Sequence, residues 1–158
     1  MGEQATRISE RGKRLLADMI GFDTVSHRSN LDLIAYIEAY FHDLGVKTER
    51  IYNDEKTKAN LFATIGPETD GGLILSGHVD VVPVEGQAWT HDPFHMLERD
   101  GRLYGRGVCD MKGFVALALA AAPEFQRANL TRPIHYAISY DEEVGCLGVR
   151  GLITELNG

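Results

Sequence analysis

Three short stretches of this chain gather the side chains that could do chemistry. One is SGHVD, Ser76 to Asp80; the second is YGRGVCDMKG, Tyr104 to Gly113; the third is SYDEEVG, Ser139 to Gly145. Alternate residues of a strand share a face, so His78 and Asp80 are expected to point the same way. A carboxylate in that position would fix the tautomer of a metal-ligating imidazole and raise its basicity. A structural His–Asp pair at a strand end fits the same five residues equally well.

Asp110 follows a glycine-rich turn and precedes an apolar run, a position open either to a helix N-cap or to a ligand. The glycines lack the spacing of a phosphate loop. Cys109 is read as a packing residue, because adjacent turn residues seldom aim at one point and no Cys-His-Asn set accompanies it. Lys112 is given a capping or pairing role and no chemistry. Asp141, Glu142 and Glu143 repel one another, and the end of a buried strand is a costly place for three acids unless a cation lies among them. A solvated surface turn is the alternative. Successive side chains diverge, so one of Glu142 and Glu143 could bind a metal while the other stands off as a base. One imidazole with several carboxylates and no thiolate set describes a catalytic zinc, cobalt or manganese site, not structural zinc. A carboxylate shared between two ions, with a free glutamate beside it, generates hydroxide near neutral pH and makes a hydrolase.

The elements that must position these groups alternate between helix and strand. Helical spacing of Ile8, Leu15, Leu16, Met19 and Ile20 predicts a helix over 8–20. A second helix follows the cap candidate Asn30 through Leu33, Ile34, Ile37, Phe41 and Leu44, ending at Gly45. Strands are expected at 46–51, 61–65 and 134–140, and a strand buried on both faces at 73–82. A hairpin is expected over 95–104, turning at Arg99-Asp100-Gly101. The run 112–122 is apolar all round and is expected to be a buried helix; a short glycine-punctuated helix closes the chain. This is an α/β sandwich with its polar clusters at strand ends, where such sheets place their sites.

Composition bounds the function. The 158 residues are one domain's worth of chain, 44% hydrophobic and 25% charged, with a net charge of -7. That acidity argues against a nucleic-acid partner, and no apolar run is long enough for a membrane span. Gly2 and Thr6 match the loose myristoylation pattern, but no polybasic second anchor accompanies them. Cys109 and Cys146 have no framework spacing and are expected to be free thiols in a reducing cytoplasm.

The order SGHVDVVP, WTHDPF, GRLYGRGVCDMKGF and SYDEEVG resembles the cocatalytic metallohydrolases of the acetylornithine deacetylase, succinyl-diaminopimelate desuccinylase and aminoacylase family. The resemblance runs from about Asp23 to the end of the chain. It implies a three-layer α/β sandwich with a mixed sheet, as in the zinc exopeptidases, and two divalent ions, zinc or cobalt. By the same resemblance His78 binds one metal, Asp110 bridges both and Glu143 binds the other. Glu142 is then the general base, Asp80 orients His78, and the Asp110–Met111 peptide is cis. PVEGQAWTHDPF and SYDEEVGCLG look most like acetylornithine deacetylase, since desuccinylases tend to have proline where Asp92 stands. The implied reaction is deacetylation of N2-acetyl-L-ornithine to L-ornithine and acetate, in cytoplasmic arginine biosynthesis, by a homodimer. The alternatives are a related N-acyl amino acid hydrolase or metallo-carboxypeptidase, or a non-catalytic fragment.

Family members are longer. The resemblance therefore implies that residues 1–158 are the N-terminal part of a catalytic domain. The lid or dimerisation domain and the remainder of the catalytic domain would lie outside it. One further acid and one further histidine, completing the two metals, have no counterpart here. The chain alone is expected to be close to inactive, with a sheet edge and some apolar surface uncovered.

Overall fold

The computed structural model describes residues 9–156, so Ile8 and the Gly2–Thr6 pattern lie outside the described residues. Helix α1 (Glu10–Ile20) starts where the Ser9 hydroxyl accepts the Gly12 N–H at 3.1 Å, and it buries Leu15, Leu16, Met19 and Ile20. Helix α2 (Leu31–Asp43) buries Leu33, Ile34, Ile37 and Phe41, and Gly45 follows it with φ 71°. Asn30 stands at the N-cap position, but its side chain does not cap. It donates to the Ala59 carbonyl at 2.8 Å and accepts the Ala59 N–H at 3.0 Å, pairing two backbone groups that burial would otherwise leave unsatisfied. The Ser29 hydroxyl accepts the Leu31 N–H instead, at 3.2 Å.

Strands β1 (Thr48–Tyr52), β2 (Ala59–Ile65), β3 (Leu73–His78) and β6 (Ile134–Ser139) form one mixed sheet in the order β1-β2-β6-β3. The β1–β2 and β2–β6 pairs are antiparallel, and β3 runs parallel to β6. The hairpin of β4 (Leu97–Arg99) and β5 (Arg102–Tyr104) turns at Asp100 and Gly101, both left-handed. One face of the sheet presents Leu61, Ala63, Ile65, Tyr136 and Ile138 to α2 and to α3 (Lys112–Arg127), with α1 packed on α3. On the opposite face α4 (Val149–Leu156) packs against β1, β2 and β6, and the Asn60 amide donates to the Gly148 carbonyl at 2.8 Å. Helices, mixed sheet and helix make the three-layer α/β sandwich.

Two expectations need correction. The 73–82 stretch leaves the sheet after His78, and Leu73 and Ile74 are exposed, because β3 is an edge strand whose start no helix among the described residues covers. Helix α3 exposes Phe114 and Leu117, since it lies on one face of the sheet and turns its outer side to solvent. It also runs past Ala122 through Pro123 to Arg127. Proline has no N–H for the carbonyl four residues earlier, and the Tyr40 hydroxyl donates to that carbonyl, of Leu119, at 2.9 Å. The helix thus continues without an orphaned acceptor.

Candidate metal centre

The parallel pairing of β3 and β6 sets His78 opposite Ser139. Both strands therefore end at the same edge of the sheet, and SGHVD and SYDEEVG meet there. The loop before α3 brings Asp110 to the same place: Nε2 of His78 lies 3.1 Å from Oδ1 of Asp110 and 3.7 Å from Oε2 of Glu142. Ligand atoms of His78, Asp110 and Glu143 all lie within 4.8 Å of one another. The Asp110–Met111 peptide is cis.

His78 and Asp80 are buried, whereas the Asp110 side chain is 73% exposed. Strand alternation does not explain how Asp80 reaches His78, because Asp80 lies beyond the end of β3. Beyond the strand Val81 bridges Val25, and Nδ1 of His78 meets the Asp80 backbone carbonyl at 3.0 Å and Oδ1 at 3.3 Å. Both neighbours are acceptors, so Nδ1 carries a proton and Nε2 is the nitrogen available to a ligand. Burial pushes the imidazole pKa down, but hydrogen bonds to Asp80, its charge and the bond to Asp110 outweigh that and raise it to about 9. The Asp80 carboxylate also accepts the Ser26 hydroxyl at 2.8 Å and the backbone N–H groups of Glu142 and Glu143 at 3.1 and 3.3 Å. Burial raises its pKa and these bonds, that to His78 foremost, hold it below the ordinary carboxylate value. Glu143 shifts upward, through burial and then the charge of Asp110.

Several residues here carried no signal in the sequence. Ser26 and Lys58 sit in polar connections without a motif; Lys58 donates to the Ser26 carbonyl and, at 2.6 Å, to Asp141. Cys146 lines the cleft with its thiol 3.7 Å from Glu142, and Cys109 is exposed, so neither is the packing residue that Cys109 is expected to be. Lys112 caps the C-terminal end of α1, not the helix it begins, and makes no hydrogen bond to an acid. Fully buried, it donates to the carbonyls of Met19 and Phe22 at 3.0 and 2.8 Å, and burial pushes its pKa down to about 8. A carbonyl of the last turn of α1 and one just beyond its C-cap thereby find a donor.

A cleft of about 320 Å³ opens on the site, lined among others by His78, Asp110, Met111, Ser139, Glu142 and Cys146. A larger hollow of about 730 Å³ lies at the opposite end of the sheet, beside Thr48, Phe62 and Gly66, away from these groups. The donor set fits a divalent ion: one imidazole nitrogen whose partner nitrogen is hydrogen-bonded, and two carboxylates, at closely spaced ligand atoms. Glu142 faces the cleft beside them without belonging to the set.

Comparison with known proteins identifies the family. The model of Peptidase family M20/M25/M40 matches residues 74–158. The chain is 40% identical over 136 residues to an acetylornithine deacetylase of Pasteurella multocida, covering 85% of this chain and 35% of that protein. It is 41% identical over 133 residues to an acetylornithine deacetylase of Yersinia pseudotuberculosis, covering 81% and 34%. The chain thus spans about a third of the length of the curated relatives it matches. Its fold is similar to that of human carnosine dipeptidase 1 (TM-score 0.76, 24% identity, 91% of this chain and 34% of that one). It is also similar to an M20 family metallo-carboxypeptidase from Sulfolobus solfataricus (TM-score 0.78, 22% identity, 94% and 34%).

Proposed function

This chain belongs to Peptidase family M20/M25/M40, and from that membership we propose that it carries part of the active site of a metal-dependent amide hydrolase. The substrate we assign is N2-acetyl-L-ornithine, on the support of relatives about 40% identical that bear the name acetylornithine deacetylase. Zinc or cobalt as the ion, a homodimer and a place in cytoplasmic arginine biosynthesis belong to the same reading and rest on the resemblance. The observation that carries the chemistry is the meeting of His78, Asp110 and Glu143, with Glu142 beside them at the cleft.

In this reading His78 through Nε2, Asp110 and Glu143 would hold the divalent ion or ions. Such ions supply Lewis acidity toward an amide carbonyl and lower the pKa of water. Asp80 keeps the Nδ1 proton of His78 in place, so the ring presents Nε2. It also draws in the amides of Glu142 and Glu143, which aims both carboxylates. Glu142, at the cleft, takes a proton from the attacking water and returns it to the leaving amine nitrogen.

A chimera tests this: residues 1–158 replace the matching segment of the Pasteurella multocida relative. Hydrolysis of N2-acetyl-L-ornithine is expected, and Glu142→Gln should lower kcat by a factor of about 100 or more while metal stays bound. A folded, metal-loaded chimera without turnover, or loss of metal on Glu142→Gln, would contradict the assignment. If exchanging the segment moved preference from the acetyl amide to dipeptides, the substrate would be a peptide instead.

A further inference from the structure

We propose that Lys58 is a positioning residue of this site, closing a ring of contacts that sets Glu142 and Glu143 against His78 and Asp110. The proposal rests on the reading of Glu142 as base and Glu143 as ligand given above. Lys58 touches neither residue and does not line the cleft; it stands in the polar connection just before β2.

Its backbone is fixed first. The Lys58 N–H donates to Oδ1 of Asn53 at 2.8 Å, and the Asn53 N–H donates to the Lys58 carbonyl at 3.0 Å. From that anchor the ammonium reaches Oδ1 of Asp141 at 2.6 Å and the carbonyl of Ser26. The pair is largely withdrawn from water, with side-chain exposures of 15% for Lys58 and 14% for Asp141. An ion pair so placed returns little net stability, but loss of one partner leaves the other charge uncompensated. Here the stranded charge would be Asp141, directly before two more acids.

Asp141 is also a non-glycine residue at φ 55°, in the left-handed region. That conformation persists where the surroundings hold it. The Leu147 N–H donates to its carbonyl at 3.0 Å and Lys58 holds its side chain. From Asp141 the ring closes through the site. The amides of Glu142 and Glu143 donate to Asp80, Asp80 accepts the Ser26 hydroxyl at 2.8 Å, and the Ser26 carbonyl returns to Lys58. Asp80 therefore grips the acidic turn from the side of His78, and Lys58 grips it from the other. Without Lys58 the Asp141 side of the turn loses its side-chain tether and can pivot about the contacts to Asp80, which moves the Glu143 carboxylate relative to the other ligand atoms.

The test uses the 158-residue chain with zinc alone as the probe, in the variants Lys58→Met, Lys58→Arg, Asp141→Asn and the Lys58→Met/Asp141→Asn double. Residue-resolved amide exchange without metal should be about tenfold faster at Glu142 and Glu143 in Lys58→Met, with the β2 and β6 amides unchanged. Zinc affinity should fall about tenfold, the size expected for a partner behind a ligand. Asp141→Asn should match Lys58→Met, the double variant should be no worse than either, and Lys58→Arg should recover to within about threefold of the parent. Unchanged exchange at the two glutamate amides, or additive losses in the double variant, would overturn the proposal. Glu143→Gln separates it from the reading of the ligands. If that variant binds zinc like the parent, the ligand assignment fails, while the exchange data still decide whether Lys58 holds the turn.

Discussion

Replacing Asp80 by asparagine removes one charge and nearly preserves shape, so its effect on His78 isolates the electrostatic part of the site. The raised pKa of about 9 means that in the metal-free chain roughly 99% of His78 carries both ring protons at pH 7. In Asp80→Asn the burial that depresses the pKa remains, and only the residue-80 carbonyl and Asp110 are left to oppose it, so the ring should titrate well below 9, toward its ordinary value of about 6.5. The difference of about 2.5 units corresponds to roughly 3 kcal/mol. A folded-state pKa above the unfolded one contributes stability that is complete below about pH 6.5 and is lost as pH rises through about 9. The metal-free parent should therefore lose roughly 3 kcal/mol from this group between about pH 6 and pH 10, and Asp80→Asn should not. Titration of the His78 ring protons by NMR, with urea unfolding at both ends of the range, measures each quantity. Because a ligating Nε2 must be deprotonated, zinc binding at pH 7 should release about one proton from His78 in the parent and well under half of one in the variant. Titration of His78 near 6.5 in the parent, or an unchanged midpoint in Asp80→Asn, would refute the reasoning.

Two further perturbations probe the frame around the site. Lys112 has a folded-state pKa of about 8, below its ordinary value, so the unfolded chain binds more protons between about pH 8 and 10.5 and this group makes stability rise through that window. Lys112→Met should lack that rise. The parent should gain roughly 3 kcal/mol on the variant between about pH 7.5 and 10.5 in urea unfolding, and parallel curves would contradict it. At Gly113 an added Cβ would lie 2.2 Å from the Val108 carbonyl oxygen, a backbone atom that cannot swing aside. Gly113→Ala should cost about 3 kcal/mol or more in thermal unfolding, and an unchanged Tm would show that the turn before α3 adapts.

Periodicity and terminators made most of the fold legible. The fully buried faces of α1 and α2 and the glycine after α2 all stand where apolar spacing predicts them. The departures have local causes that spacing does not encode. Pro123 reads as a terminator but lies inside α3, since the acceptor it strands, the Leu119 carbonyl, is met by Tyr40, 79 residues away in sequence. Leu73 and Ile74 read as core, yet strand order, which periodicity leaves open, puts β3 at an edge. At the site, the three polar clusters were visible because chemistry-bearing types are unusual at the ends of apolar strands. Their supports were not. Ser26 and Lys58 act through hydrogen bonds to groups distant in sequence, which leave no pattern of spacing. Asp80 contacts His78 by a route that strand alternation does not describe, since it lies beyond the end of β3.

The central claim is that His78, Asp110 and Glu143 form one ligand set. A calorimetric zinc titration of this chain beside Asp110→Asn and Glu143→Gln tests it most directly. Zinc binding by the parent, weakened at least about a hundredfold in each variant, is the predicted result. Equal affinity in parent and Asp110→Asn would place the ion elsewhere and contradict the account.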